Sequence, residues 1–487
     1  MKIKSRTLAC AALWLVATNL NAQDEEDFLP EGQIVPVAEE GLDETQELID
    51  EYSVPEPTED DLLAREFGLY VQLMQDRVFD EADTVAKRVV EIAMQLKGPR
   101  SSESAKALTN LAIVQHQTEQ YDAAAQNFES AIDIIEDIED RLHAQLVNPL
   151  KGLGSSQLES GRADLAIGTF NRAVHVTHVN EGPHNLDQVE LLESLAETNL
   201  RIGDFDAAKN AQDVIYALNI RKYDIDTLEL VPSLMRRALW QHRAGFIYDE
   251  RTTYRRVVRI IESRSSKTDP RLVEPLILLG KSHFFVDTSG SESIGESRMS
   301  SGEIYFRRAV RISVENNPEQ NWQPVAQATL ALGDYYMYQN NIQRAWQVYG
   351  TAWELLSQDD SRLDVRREQL ESIVPVIEQR LPQYVNSEES EEDASEDRSL
   401  LQGKVAVTYN ISERGRITNL KMIEASPAEF TNMQRYVQRE LRRRVFRPIL
   451  VEGEPVESAE QLLVHNFFYR QADLEALQAA ASEATEE

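Results

Sequence analysis

Cysteine is almost missing from this 487-residue chain: Cys10 is the only one. It sits in a short leader segment, so a chain that has lost that leader has no thiol chemistry and no disulfides, and an oxidising compartment is allowed but not required. Basic residues are scarce as well. Fifty Lys and Arg face 83 Asp and Glu, a formal net charge of −33, which opposes nucleic-acid binding because phosphates would be repelled rather than neutralised. Long apolar runs are also lacking. The best, Leu8 to Ala17, is about half of the ~20 residues a helix needs to cross a bilayer. Aromatics make up 7% of the chain, while 42% of it is hydrophobic and 27% charged. That is enough to fold, with large solvated helical surfaces.

The first 22 residues have the layout of an export signal. Lys2, Lys4 and Arg6 precede the apolar run, and Leu20-Asn21-Ala22 offers a cleavage site ahead of Gln23-Asp24-Glu25-Glu26. Thr7-Leu8-Ala9 before Cys10 makes a poor lipoprotein signal. Cleavage would leave 47 basic against 83 acidic residues and place the protein in a Gram-negative periplasm; an uncleaved anchor is the alternative. Residues 23–61 then hold sixteen acids, no Lys or Arg, and Pro30, Pro36, Pro55 and Pro57. Such a segment cannot offset its ordering entropy by burial, and it reads as a disordered acidic arm.

A 42-residue period begins near residue 62. Leu111-Ala112 is followed by Tyr121, Ala124, Phe128 and Ala131; one period on come Leu153-Gly154, Ala163, Ala166, Phe170 and Ala173. The spacing continues through Leu195-Ala196, Arg237-Ala238, Leu279-Gly280 and Leu332-Gly333, and backwards to Leu69-Tyr70. Paired helices approach closely only where small residues meet, and a lone hairpin cannot bury both its faces, so the copies must stack. Spacing and residue types resemble the tetratricopeptide repeat, in the 42-residue variety of kinesin light chains. The expectation is a mostly α chain with an α-solenoid of about seven helix pairs over residues 62–382. Copy five departs at Arg237 and Glu250, which predicts a distorted hairpin there. Asp287 to Ser301 reads as a loop, Arg362 to Arg380 as a capping helix, and 383–400 as an acidic linker in which 388–397 hold seven acids.

From Gly403 the periodicity changes to that of a strand, with Val405, Val407, Tyr409 and Ile411 alternating with polar or small residues. Ile417 to Ala425 reads as a second strand, and Ser426-Pro427-Ala428-Glu429 as a capped helix start. Phe430, Met433, Val437 and Leu441 would share one helix face, Arg447-Pro448 would end the helix, Glu452 to Pro455 would turn, and Leu462 to Tyr469 would close a β-β-α-β domain over 401–470. Residues 471–487 read as an acidic tail. Gly403-x-Val405-x-Val407, Gly415-Arg416-Ile417, Glu424-Ala425-Ser426-Pro427, Phe446-Arg447-Pro448, Gly453-Glu454-Pro455-Val456 and Asn466-Phe467-Phe468-Tyr469 resemble the C-terminal domain of TonB-family energy transducers. The resemblance implies capture of an extended segment of an outer-membrane transporter by strand addition, at Leu463, Val464, His465, Asn466, Phe467, Phe468 and Tyr469. The family's N-terminal anchor is matched only by a short segment that reads as cleaved, and its Pro-rich spacer is replaced by the repeat array, which implies an accessory or adaptor more than a transducer.

No cofactor is implied, and no zinc-protease, serine-hydrolase or dinucleotide signature is present. His175 and His178, with His184 nearby, could offer metal ligands at helical spacing or could be surface histidines. Gly152-Leu-Gly154 lacks the Lys-Ser/Thr of a phosphate loop. Resemblance to kinesin-light-chain repeats implies a peptide groove lined by each copy's first helix, with Lys106, Thr109, Asn110, His116, Asn148, Lys151 and Ser155 as candidates and Asn110 in the position that holds a ligand backbone. The same residues also fit the plain polar face of amphipathic helices. Arg435, Arg439, Arg442 and Arg443 form a basic helix face, either solvated or a dock for an anionic lipid or acidic partner, in a domain with eleven basic against eight acidic residues over 401–470. The reading is a non-enzymatic periplasmic scaffold for proteins or peptide segments, accessory to a TonB-type transport system and at most peripheral to a membrane. An envelope-assembly or regulatory scaffold and an anchored transducer are the alternatives.

Overall fold

The computed structural model describes residues 59–284, 302–316, 321–377, 401–469 and 471–486. The leader, nearly all of the acidic arm, the 287–301 loop and the acidic linker lie outside the described residues. Seven helix pairs follow one another: α1 (Glu59–Gln75) with α2 (Phe79–Lys97), α3 (Ser102–Gln117) with α4 (Tyr121–Ile138), α5 (Val147–Glu159) with α6 (Ala163–Glu181), α7 (Gln188–Arg201) with α8 (Phe205–Tyr223), α9 (Val231–Arg243) with α10 (Ile247–Arg264), α11 (Val273–Ser282) with α12 (Glu303–Glu315), and α13 (Trp322–Tyr338) with α14 (Ile342–Leu356). Among the described residues no helix is long and apolar enough to cross a membrane.

Five of the seven pairs are built around a ring facing a small residue, while Ala86 and Gln212 hold the ring's place in copies one and four. A Cβ added to Gly154 would lie 2.7 Å from the Phe170 ring; at Gly280 and Gly333 it would lie 2.6 Å from Phe306 and Tyr349. Ala112 holds the corresponding place before Phe128, and both are almost fully buried. Burying each such ring contributes about 1.5–3 kcal/mol. A polar bond recurs beside it: Gln115 accepts from Asn127 at 2.7 Å, and Gln157 and Gln241 accept from Thr169 and Thr253 at 2.8 Å. The turn inside six of the hairpins is also periodic. Arg77, Glu119, Gly161, Gly203, Gly245 and Asn340 all have positive φ. The following N–H reaches back to the helix, as in Gln120 N to Gln115 O and Arg162 N to Gln157 O at 2.8 Å.

Copy five is a regular hairpin, contrary to the expected distortion. Its odd residues bring their own partners: Glu250, 3% exposed, lies 3.1 Å from His242, and Arg237 pairs with Asp213 at 2.5 Å. The capping helix is shorter than expected. α15 (Leu363–Leu370) stops early, and Val374 to Val376 run extended against the C-terminal domain, with Val376 N to Val445 O and Arg447 N to Val374 O both at 2.9 Å.

The C-terminal domain contains β1 (Leu401–Ile411), β2 (Ile417–Ser426), α16 (Thr431–Arg443), β3 (Ile449–Val451), β4 (Glu454–Val456) and β5 (Gln461–Tyr469), followed by α17 (Gln471–Glu486). The expected strands, helix and closing strand are present. Three details differ. Ser426 pairs with Lys404 in the sheet, so it is held extended and cannot cap a helix, and α16 starts at Thr431 and ends at Arg443, before Arg447-Pro448. The 452–455 turn is the tip of a β3–β4 hairpin whose Glu452 and Gly453 both have positive φ, the geometry of a two-residue type I′ turn. The acidic tail is helical, and its Leu474 and Leu477 pack on the domain core. The sheet order is β2-β1-β5, with all pairs antiparallel. Met433, Val437 and Leu441 of α16 are buried against Val405, Val407 and Phe467.

Candidate interaction surfaces

The first helices of neighbouring copies, such as α3 with α5 and α11 with α13, approach one another more closely than the second helices do, so they line the inner curve. The expected groove residues lie on two of them. On α3, Lys106 is exposed, and Thr109, Asn110 and His116 are half-buried. Thr109 bonds its own helix at Ala105 O (2.8 Å), while the Asn110 carbonyl accepts from the Tyr70 hydroxyl of the preceding copy at 3.1 Å. His116 Nδ1 meets Ser156 Oγ at 3.0 Å, tying α3 to α5, and burial holds its imidazole below the usual histidine value. On α5, Asn148 and Ser155 are half-buried and Lys151 is buried, its ammonium paired with Glu190 of α7. Burial brings the Lys151 amine down to about 8, partly offset by Glu190.

This pair begins a ladder the sequence reading missed. Arg201 bonds Glu159 at 2.8 Å, Arg236 lies 3.6 Å from Glu193, and Arg243 pairs with Glu197. Each link joins first helices of adjacent copies. A ligand on this face must therefore compete with partners already in place. The signal was available: opposite charges recur about one period apart, at Lys151 and Glu190, Glu159 and Arg201, and Glu193 and Arg236.

At the other end of the chain, β5 forms one edge of the sheet. One side pairs with β1 from Leu401↔Tyr469 to Tyr409↔Gln461; among the described residues no strand pairs with the other. His465, Phe467 and Tyr469 are buried and Leu463 is half-buried, while Val464 and Asn466 are exposed. Phe468 pairs with Gln402 along the backbone. Leu462 and Val464, 64% and 49% exposed, put apolar side chains on the face opposite α16. On α16, Arg435, Arg439, Arg442 and Arg443 are all exposed. Arg439 lies over the Tyr436 ring at 5.0 Å, and Arg443 pairs with Glu440 at 3.3 Å. His175, His178 and His184 are exposed, and among the described residues no three His, Cys, Asp or Glu side chains converge as a metal site requires.

The domain is bolted to the array by a buried ion pair that sequence reasoning also missed. Arg447 Nε and Nη2 donate to the two oxygens of Asp334 on α13 at 2.7 and 2.8 Å, and Nη1 donates to Gln369 at 2.6 Å. Tyr349 donates its hydroxyl to the same carboxylate at 2.9 Å. Asp334 and Arg447 are 2% and 8% exposed. The carboxylate raises the guanidinium pKa further, against the effect of burial, and the Tyr349 hydroxyl is pushed well up by burial and by Asp334. Val445 and Leu450 join the apolar core of the last copies.

Residues 68–137 match the family model of the tetratricopeptide repeat. No curated protein matches the chain. Among solved structures, it is similar to TPR-like repeats from Podosopora anserina described as those of a kinesin light chain (14% identity, 42% of this chain and 96% of that one, TM-score 0.38). Others are BtubC from P. vanneervenii (14%, 49% and 92%, TM-score 0.36) and the C-terminal part of a TPR repeat-containing protein from Cytophaga hutchinsonii (12%, 61% and 98%, TM-score 0.38). The chain carries tetratricopeptide repeats in a mostly helical solenoid that ends in a small sheet domain.

Proposed function

We propose that this protein is a non-enzymatic scaffold that holds protein segments in two places: along the inner face of α3 and α5, and at the outer edge of β5. The observation that carries the reading is the β5 edge, whose outward backbone groups have no strand partner among the described residues, in a domain fastened to the array by Asp334 and Arg447. Two sites on one body raise the effective concentration of one partner near the other. The leader's basic and apolar segments support export to the periplasm, and the motifs around Gly403, Phe446 and Asn466 support an accessory role beside a TonB-type transporter.

The fastening also favours a second reading. With Val445 and Leu450 in the array's core, the domain covers the apolar end of the last repeat, as a terminal cap does. The domain would then serve structure, in an envelope-assembly or regulatory scaffold. Photo-crosslinking residues placed at Leu462, Val464 and Thr109 in cells separate the two. Adaptor function predicts capture of a transport component from positions 462 and 464; cap function predicts capture from 109 alone. N-terminal sequencing of exported protein should begin at Gln23, and an intact Met1 would instead support the membrane-anchored transducer.

A further inference from the structure

We infer that the array is two stacks joined at a charged hinge between copies four and five. Apolar packing is continuous from Tyr70 to Leu191, and again from Leu230 to Leu450. Between them the buried apolar residues fall into small separate clusters, one of Leu192, Ile215 and Leu218 and one of alanines with Trp240; a third, of Ala238, Tyr254 and Leu279, lies just beyond, beside the second core. Two positions of the period explain the break. The ring supplied by Phe128, Phe170 and Tyr254 in copies two, three and five is the polar Gln212 in copy four. The leucine supplied by Leu111, Leu153 and Leu279 is Arg237 in copy five.

Tyr216, Ile220 and Tyr223 of α8 edge against the second core and Phe205 meets Phe246, but the centre of the junction is polar. The Arg237 guanidinium lies 4.6 Å from the Tyr216 ring centroid and donates to the Gln212 carbonyl at 3.0 Å as well as to Asp213. Arg256 reaches the same ring at 5.5 Å and pairs with Asp226 at 3.0 Å. Close approach between α8 and α9 covers a much shorter stretch than between α4 and α5 or α6 and α7. Trp240 and Ala244, packed beside Ala208 and Ala211, hold the turn end of the junction and serve as its pivot.

The distance dependence of these contacts makes this junction a hinge. Interlocked apolar side chains lose a quarter to a half of their dispersion energy for a gap of about 0.5–1 Å, so such an interface is stiff. Partly exposed ion and cation–π pairs, at roughly 0–1 and 0.5–2 kcal/mol each, decay more gently and tolerate small rotations. The pairs Glu193–Arg236 and Glu197–Arg243 cross the same region on the inner face, so rotation there opens or narrows the groove. The hinge does not depend on what that groove binds.

Spin-label distance measurements on the full chain with Cys10→Ser test this. Exposed positions two copies apart report each region: Glu91→Cys with His175→Cys inside the first stack, Arg259→Cys with Thr351→Cys inside the second, and His175→Cys with Arg259→Cys across the junction. The across-junction distribution should be about twice as wide as the other two and should widen further in 1 M salt, where screening extends to ~3 Å. Arg237→Leu should narrow it. Three equally narrow distributions that ignore salt would overturn the hinge, and that comparison needs no core variant to fold. A wide distribution that Arg237→Leu leaves unchanged, in a variant with wild-type circular dichroism, would overturn the assignment to this junction.

Discussion

Copies two and three, and copies four and five, are joined at the same interval by opposite chemistry. In the first junction the Phe128 ring sits against Gly152, where a Cβ would not fit, and Leu153 packs into a continuous apolar core. In the second, Arg237 takes the leucine's place and Tyr216 lies against two guanidinium groups. Both give antiparallel hairpins of similar length. The period therefore fixes where the helices run, while the residue at one position decides how firmly neighbours hold each other. A charged residue is accepted there because Asp213, one copy back, is in reach.

The sharpest test of that contrast removes a ring from the dry side. Phe170→Ala should cost about 3–5 kcal/mol, read as a shift in the urea midpoint, because Gly154 beneath it leaves a cavity that no neighbouring side chain can fill. A loss below about 1 kcal/mol would mean that the first stack is as forgiving as the junction. The seam with the terminal domain should be equally sensitive for a different reason. Asp334→Leu strands a buried Arg447 and should cost about 3–5 kcal/mol, while Asp334→Leu with Arg447→Leu should recover most of that loss. If the double variant falls as far as the single one, the seam rests on the backbone pairing of Val374–Val376 instead.

Legibility in the sequence follows the same division. Seven hairpins could be read because Ala112, Gly154 and Gly280 recur in phase with Phe128, Phe170 and Phe306, and a periodic steric need leaves a periodic trace. Gly161, Gly203 and Gly245 recur at the same interval, but that they sit in left-handed turns emerged only from the fold. The β1 strand was visible as alternation, and β2 and β5 as strand-like runs after turns. Asp334 and Arg447 were not, because a partnership across 113 positions has no period and each residue alone looks like a surface charge. The helix start at Ser426 was misread since local capping chemistry and sheet pairing compete for the same residue, and the sheet won. Of the groove candidates, Lys151 was placed on the right helix but its charge is committed to Glu190.

At the junction itself, Arg237→Ala should cost only about 1 kcal/mol, the scale of one partly exposed cation–π contact and one ion pair. Urea unfolding compared with Phe170→Ala measures the ratio between dry and polar junctions directly. A cost near 4 kcal/mol for Arg237→Ala would show the guanidinium to be as firmly built in as the rings, and the two junctions would no longer differ in kind.

The smallest expected effect has the most specific signature, because the two stacks should respond to pH with opposite signs. In copy five the hydrogen bond that His242 donates to Glu250 raises the His242 pKa, against a lesser opposing effect of burial. Folded protein then holds that proton more tightly than the unfolded chain, so the pair's stabilisation is complete below about 6.5 and fades as pH rises through the folded value. In copy three, burial brings Lys151 down to about 8 from an ordinary 10.5. Here the unfolded chain holds the proton more tightly between those values, so stability rises with pH across that window and falls back as pH drops through 8. The urea midpoint of wild type minus His242→Gln should therefore shrink from pH 5.5 to 8.5, while wild type minus Lys151→Met should grow from pH 8 to 10.5. Differences of the same sign would mean that one of these groups is solvated rather than held, and a flat Lys151 difference would single out the groove as open to water around its ammonium.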